Sequence, residues 1–129
     1  MAAQLASKLR AIQRGQRAEA FVAAGLAADG WRILARNWRG GGGELDLVAS
    51  RAEILRFVEV KAPRYRNFDP LGRGQRDRIY AAAQAYTSAV EVSFNEVYFS
   101  LALVGSVGTH PVIEWIEDAF DGVEQCHFG

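Results

Sequence analysis

Between Trp31 and Lys61 three strand-like runs follow one another with almost no chain between them. Trp31 to Trp38, Glu44 to Ser50 and Ile54 to Lys61 carry the aromatic, β-branched and leucine side chains that strands favour. Gly40 to Gly43 read as a turn, and a short hairpin around Arg51-Ala52 joins the second run to the third. Connections this short bring the second and third strands together. Upstream, Leu5, Leu9, Ile12, Val22 and Leu26 recur at helical spacing, which predicts a helix over 4–28 ended by Asp29-Gly30. Downstream, Pro63, Pro70, Gly72 and Gly74 make residues 62–74 a loop. The Ala-rich stretch Gln75 to Val90 reads as a second helix. Val97 to Val104 and Val112 to Ile116 read as two more strands, with Gly105, Gly108 and Pro111 between them. The order helix, three strands, helix, two strands predicts an α/β layer structure with helices against a sheet.

Charged residues sit inside two of these apolar runs. Side chains alternate across a strand. In Gly43-Glu44-Leu45-Asp46-Leu47-Val48, alternation puts Leu45 and Leu47 on one side and Glu44 and Asp46 on the other. In the third run Phe57, Glu59 and Lys61 share a face, and Val58 and Val60 share the opposite one. A charge in an apolar strand is costly unless it is paired or binds a cation. Asp46 and Glu59 suit a hard divalent ion such as magnesium, which takes oxygen ligands and keeps several waters. Lys61 lies within reach of the same pocket, where its amine can stabilise phosphate charge or help activate a bound water. The simpler reading is a strand-borne ion pair between Lys61 and Asp46 or Glu59. Arginine supplies 13 of the 15 basic side chains, yet this run holds one of only two lysines. Lysine has a tunable pKa that arginine lacks, which favours chemistry over a plain ion pair.

Glu19 is a second pointer. It falls within the apolar stripe of the first helix, seven residues from Ile12 and Leu26 and three from Val22. An acid there either pairs with a buried base or points into a site. Residues 61–78 carry six basic and two acidic side chains. Such a run is ordinarily a solvated face, but beside a metal pocket it holds phosphates. The glycines at 40–43 lack the Gly-Lys-Ser/Thr ending of a phosphate loop and are read as a turn.

Composition narrows the classes. A chain of 129 residues suits one domain, taken as 1–129. No run approaches the roughly 18 apolar residues of a membrane span, so no membrane association is expected. The Ala- and Arg-rich start faintly resembles a transit peptide. The helical pattern running straight into the next element argues against that. One cysteine, Cys126, gives neither an internal disulfide nor a cysteine zinc cluster, and fits a cytoplasmic location. His110 and His127 are read as ordinary loop and tail residues. The net charge of zero hides segregation: residues 1–40 carry seven basic and two acidic side chains, and residues 91–129 carry seven acids and no Lys or Arg. A basic face and an acidic face follow, which permits a nucleic-acid partner without requiring one.

Four stretches together resemble the YraN-like bacterial family, within the PD-(D/E)xK nuclease superfamily that also holds Holliday-junction resolvases and restriction enzymes. They are Arg17-Ala18-Glu19-Ala20, Ile33-Leu34-Ala35-Arg36-Asn37-Trp38-Arg39, Gly43-Glu44-Leu45-Asp46-Leu47-Val48 and Phe57-Val58-Glu59-Val60-Lys61. The likeness covers residues 14–90. It implies a restriction-endonuclease-like fold, a central mixed sheet flanked by helices. It also implies a site of Glu19, Asp46, Glu59 and Lys61 that binds magnesium, with manganese as an alternative, and cuts phosphodiesters. The first three would be metal ligands. Arg64, Arg66, Arg73, Gln75 and Arg76 are the expected nucleic-acid contacts. Two departures stand out: Pro63 where the family has Arg, and Gln75 where it has Lys.

Three readings follow. The first is a metal-dependent nuclease acting on DNA, on branched or recombining DNA in particular. The second is a non-catalytic nucleic-acid-binding or interaction module on the same fold. The third is a plain structural domain. The oligomeric state is left open, a homodimer included.

Overall fold

The structure, a computed structural model, describes residues 2–62 and 72–117. Its elements are α1 (Ala2–Ala28), β1 (Arg32–Gly40), β2 (Gly43–Arg51), β3 (Ile54–Lys61), α2 (Arg73–Ala89), β4 (Glu96–Val107) and β5 (His110–Ile116). The strands form one sheet in the order β1-β2-β3-β4-β5. β1, β2 and β3 run antiparallel, β3 and β4 run parallel across the α2 connection, and β5 returns antiparallel to β4. The sheet is therefore mixed. One face carries α1 over Leu47, Ala49, Val58, Val60 and Ala102. The other carries α2 over Leu45, Val48, Leu55, Phe57 and Leu101. This is the restriction-endonuclease-like α/β arrangement that the sequence predicts.

Local chemistry explains the element ends. α1 stops in a paired C-terminal motif: Gly30 takes φ 87°, its N–H donates to Ala27, and the Trp31 N–H donates to Leu26 at 2.9 Å. Leu26 and Trp31 then pack into the same core cluster, which anchors the start of β1. Gly41 and Gly42 both take positive φ, as a two-residue hairpin turn demands. Gly43 has a different role. A Cβ there would stand 2.4 Å from the Arg78 carbonyl oxygen, so the hairpin lies against the backbone of α2 only without a side chain.

Several sequence expectations need correction. β1, β2, β4 and β5 each run longer than predicted. β5 includes Pro111, tolerated because an edge strand has one row of donors unpaired. His110 opens that strand, opposite Val107, and is no loop residue. α2 starts at Arg73, two residues early. The helical spacing of α1 is present, but only its second half is packed. Val22 and Leu26 are buried, whereas Leu5, Leu9 and Ile12 are half or more exposed.

The largest correction concerns β2. Leu45 packs under α2 and Leu47 under α1, so the two do not share a face. The change of side falls at Asp46, between them. Opposite it, between the Arg36↔Leu47 and Trp38↔Leu45 pairs, Asn37 adopts a left-handed φ of 51°. Pairing of β2 with β3 begins only at Leu47↔Val58. The side chains change sides across Asp46, which precedes the first β2–β3 pair, while the β1–β2 register itself shifts between Ile33 and Ala35.

Candidate active site

The break in β2 faces the C-terminal end of β3, and the predicted acids meet there. The Asp46 carboxylate accepts the Val60 backbone N–H through Oδ2 at 2.8 Å. Its side chain also hydrogen-bonds that of Glu59. Glu59 is 8% exposed. Its Oε1 receives Gln75 Nε2 at 3.2 Å and faces Lys61 Nζ at 3.6 Å. Glu19, on α1, takes a hydrogen bond from Asn37 and feels the charges of Asp46 and Glu44. Four elements thus contribute: α1, the β2 break, the end of β3 and the first turn of α2.

The electrostatics are those of crowded acids with little neutralisation. Burial, then the neighbouring Asp46 charge, pushes the Glu59 carboxyl up to about 8, with Lys61 pulling weakly the other way. Burial also raises Asp46, against the Val60 N–H, the Glu59 bond and Lys61, which lower it. Of the pair, Glu59 keeps the proton and donates it to Asp46. Glu19 is raised by burial first and by Asp46 second. The strand-borne ion pair of the simpler reading is present between Lys61 and Glu59. It does not account for Asp46 and Glu19, which remain elevated beside it.

Oxygen donors, burial and unrelieved repulsion suit a hard cation. Asp46 and Glu59 touch and would supply the first two ligands. Glu19 is coupled to Asp46 by charge. Among the described residues, no group of three His, Cys, Asp or Glu side chains is placed to hold a metal ion. A hard cation that keeps several waters can be held by fewer protein ligands.

The expected nucleic-acid contacts divide. Gln75 lies on Glu59 itself. Arg76 Nε is buried with no hydrogen-bond partner among the described residues. Arg73 opens α2. Arg64 and Arg66 lie outside the described residues, as do Pro63, Cys126 and His127. Of the acidic third, Glu117 pairs with Arg56 at 2.6 Å, and Arg56 lies over the Trp31 and Trp115 rings on the α1 face. Sequence reasoning missed Asn37 as a site residue. Its one signal is an Asn inside a strand, a residue type depleted in strands and tolerant of left-handed backbone.

Fold and site define a class: an α/β protein with a five-stranded mixed sheet and a buried carboxylate pair with a lysine at one end. The sequence profile of the uncharacterised protein family UPF0102 matches residues 18–104, and the chain belongs to that family. Relatives include a UPF0102 protein of Nitratidesulfovibrio vulgaris (strain DP4), 38% identical over 114 residues and 85% of each chain. Another, from Gloeobacter violaceus, is 39% identical over 113 residues, 81% of this chain and 90% of the relative. A third, from Rhodopseudomonas palustris (strain BisB5), is 46% identical over 85 residues, 64% of each chain. Among the described residues no helix is long and apolar enough to cross a membrane.

Proposed function

We propose that this chain is a metal-dependent nuclease of the PD-(D/E)xK kind, cutting phosphodiester bonds in DNA, branched or recombining DNA in particular. The observation that carries the reading is geometric: at the end of β3 Asp46 Oδ2 sits on the Val60 N–H at 2.8 Å, and the buried Glu59 faces Lys61 Nζ at 3.6 Å. Burial raises both carboxyls, and buried acids of this kind suit a divalent cation. Asp46 and Glu59 would hold magnesium or manganese, and Glu19 would complete the shell directly or through water. When bound, such an ion polarises a phosphoryl oxygen and makes its water acidic.

The protein's own groups then divide the work. The Val60 N–H fixes the Asp46 oxygen it touches. Gln75 and Lys61 both hold Glu59 Oε1, which fixes the rotamer of that carboxylate. The Lys61 ammonium neutralises charge building on phosphate oxygens and orients the attacking water. Arg76, with Arg64, Arg66 and Arg73, would take flanking phosphates.

One observation favours the second reading, a nucleic-acid-binding module without cleavage. Gln75 reaches Glu59 with a neutral amide, so the cluster holds three acids against few cations. The deciding experiment incubates the chain with single-stranded, duplex, flapped and four-way DNAs in magnesium or manganese. The nuclease reading expects cleavage of at least one, lost in Glu59→Gln and Lys61→Ala. Binding without cleavage under every condition would leave the module.

A further inference from the structure

A cavity of about 380 Å³ opens on the α1 side of the sheet. Arg14, Arg17 and Phe21 line it from α1, with Ala62 past the end of β3 and Val104 and Pro111 from the β4–β5 hairpin. Arg14, Arg17 and Phe21 stand three and four residues apart, on one stripe of the helix. Glu19 lies on the neighbouring stripe, towards Asn37 and Asp46. Cavity and carboxylate cluster therefore flank the same turn of α1. Both also border the end of β3, where Lys61 belongs to the cluster and Ala62 to the cavity.

The chemistry of the lining selects an occupant. The walls are apolar, and Phe21 is left 36% exposed. Among the described residues the charged side chains in the lining are Arg14 and Arg17, and no acid lines it. The volume lies in the range of small-molecule pockets. Flat aromatic groups joined by anionic links match such a surface: every base has a π-face for Phe21, and every phosphate suits arginine. We propose that the cavity receives one unstacked nucleotide of a single-stranded nucleic acid, its base against Phe21 and its phosphates against Arg14 and Arg17. A duplex fills it only after unpairing, which costs a few kcal/mol. The inference rests on the nuclease reading and narrows its substrates to those with an unpaired stretch beside the cut, such as flaps, tails and junctions.

The test needs no cleavage. The full chain is titrated into labelled oligothymidylate, oligouridylate and a short duplex, in chelator, with fluorescence anisotropy as readout. The proposal expects single strands to bind more tightly than duplex, and the two single strands distinguish DNA from RNA. Phe21→Leu, which keeps an apolar filler, should weaken single-strand binding about tenfold and duplex binding little. Arg14→Gln with Arg17→Gln should lower the salt slope by about 1.4. Equal single-strand affinity in Phe21→Leu and wild type overturns the proposal. So does a wild type that is dimeric without oligonucleotide while Phe21→Leu is monomeric, since a second copy then fills the cavity. Phe21-dependent binding without cleavage sinks the nuclease reading alone. Cleavage with Phe21-independent binding sinks this proposal alone.

Discussion

Glu59→Gln should turn a pH-sensitive fold into a flatter one. In the folded chain burial and Asp46 hold the Glu59 proton to about pH 8, against an ordinary value of 4.5. The unfolded chain releases that proton near the ordinary value. Between those limits the folded state binds one more proton, so stability is fully present at low pH and falls as pH rises through the window. One proton gives about 1.4 kcal/mol per pH unit, which sets a ceiling of about 5 kcal/mol across the window. Asp46 and Glu19 are raised as well and act in the same direction. Glutamine keeps the shape and can still donate to Asp46, but it has no proton to lose. Urea unfolding from pH 5 to pH 9 without divalent ions, followed by tryptophan fluorescence, separates the two proteins. The wild type should lose stability steadily above pH 5. The variant should match or fall below it at pH 5 and exceed it by about 2–5 kcal/mol at pH 9. A wild type whose stability is flat or rises from pH 6 to pH 8, or a variant that is weaker at pH 9, would refute the proton-sharing pair.

Asn37→Ala should cost about 1–2 kcal/mol in urea unfolding, because alanine resists the left-handed backbone that φ 51° requires, while Asn37→Gly should cost less. Both variants lose the bond to Glu19, so both should bind manganese several-fold more weakly in a calorimetric titration. Gly43→Ala places a methyl 2.4 Å from the Arg78 carbonyl oxygen and should destabilise by about 2–3 kcal/mol in the same unfolding assay, since neither backbone has room to yield.

The layer order was legible because hydrophobic period and turn residues act locally. Glu59 and Lys61 sit in a regular strand whose alternation the sequence states directly, and Phe57 and Glu59 do share the α2 side. Leu45 and Leu47 misled because a strict period of two assumes an unbroken ladder, and the break depends on Asn37 in another strand. Leu5, Leu9 and Ile12 misled for a different reason. Spacing defines a stripe but does not say whether a partner surface extends beneath it, and the packed part of α1 begins at Ala18. The four glycines read as a turn, and two of them are. The contact of Gly43 with α2 is long-range, outside anything a local pattern encodes.

The proposed function stands on a cation site at Asp46 and Glu59. Calorimetric titration of manganese and magnesium into the wild type and Asp46→Asn at pH 7, in two buffers of different ionisation enthalpy, tests it most directly. The wild type should show one site, with release of up to one proton because the ion displaces the proton held by Glu59. Asp46→Asn should bind at least tenfold more weakly. No binding heat in the wild type, or equal affinity and proton release in the two proteins, would contradict it.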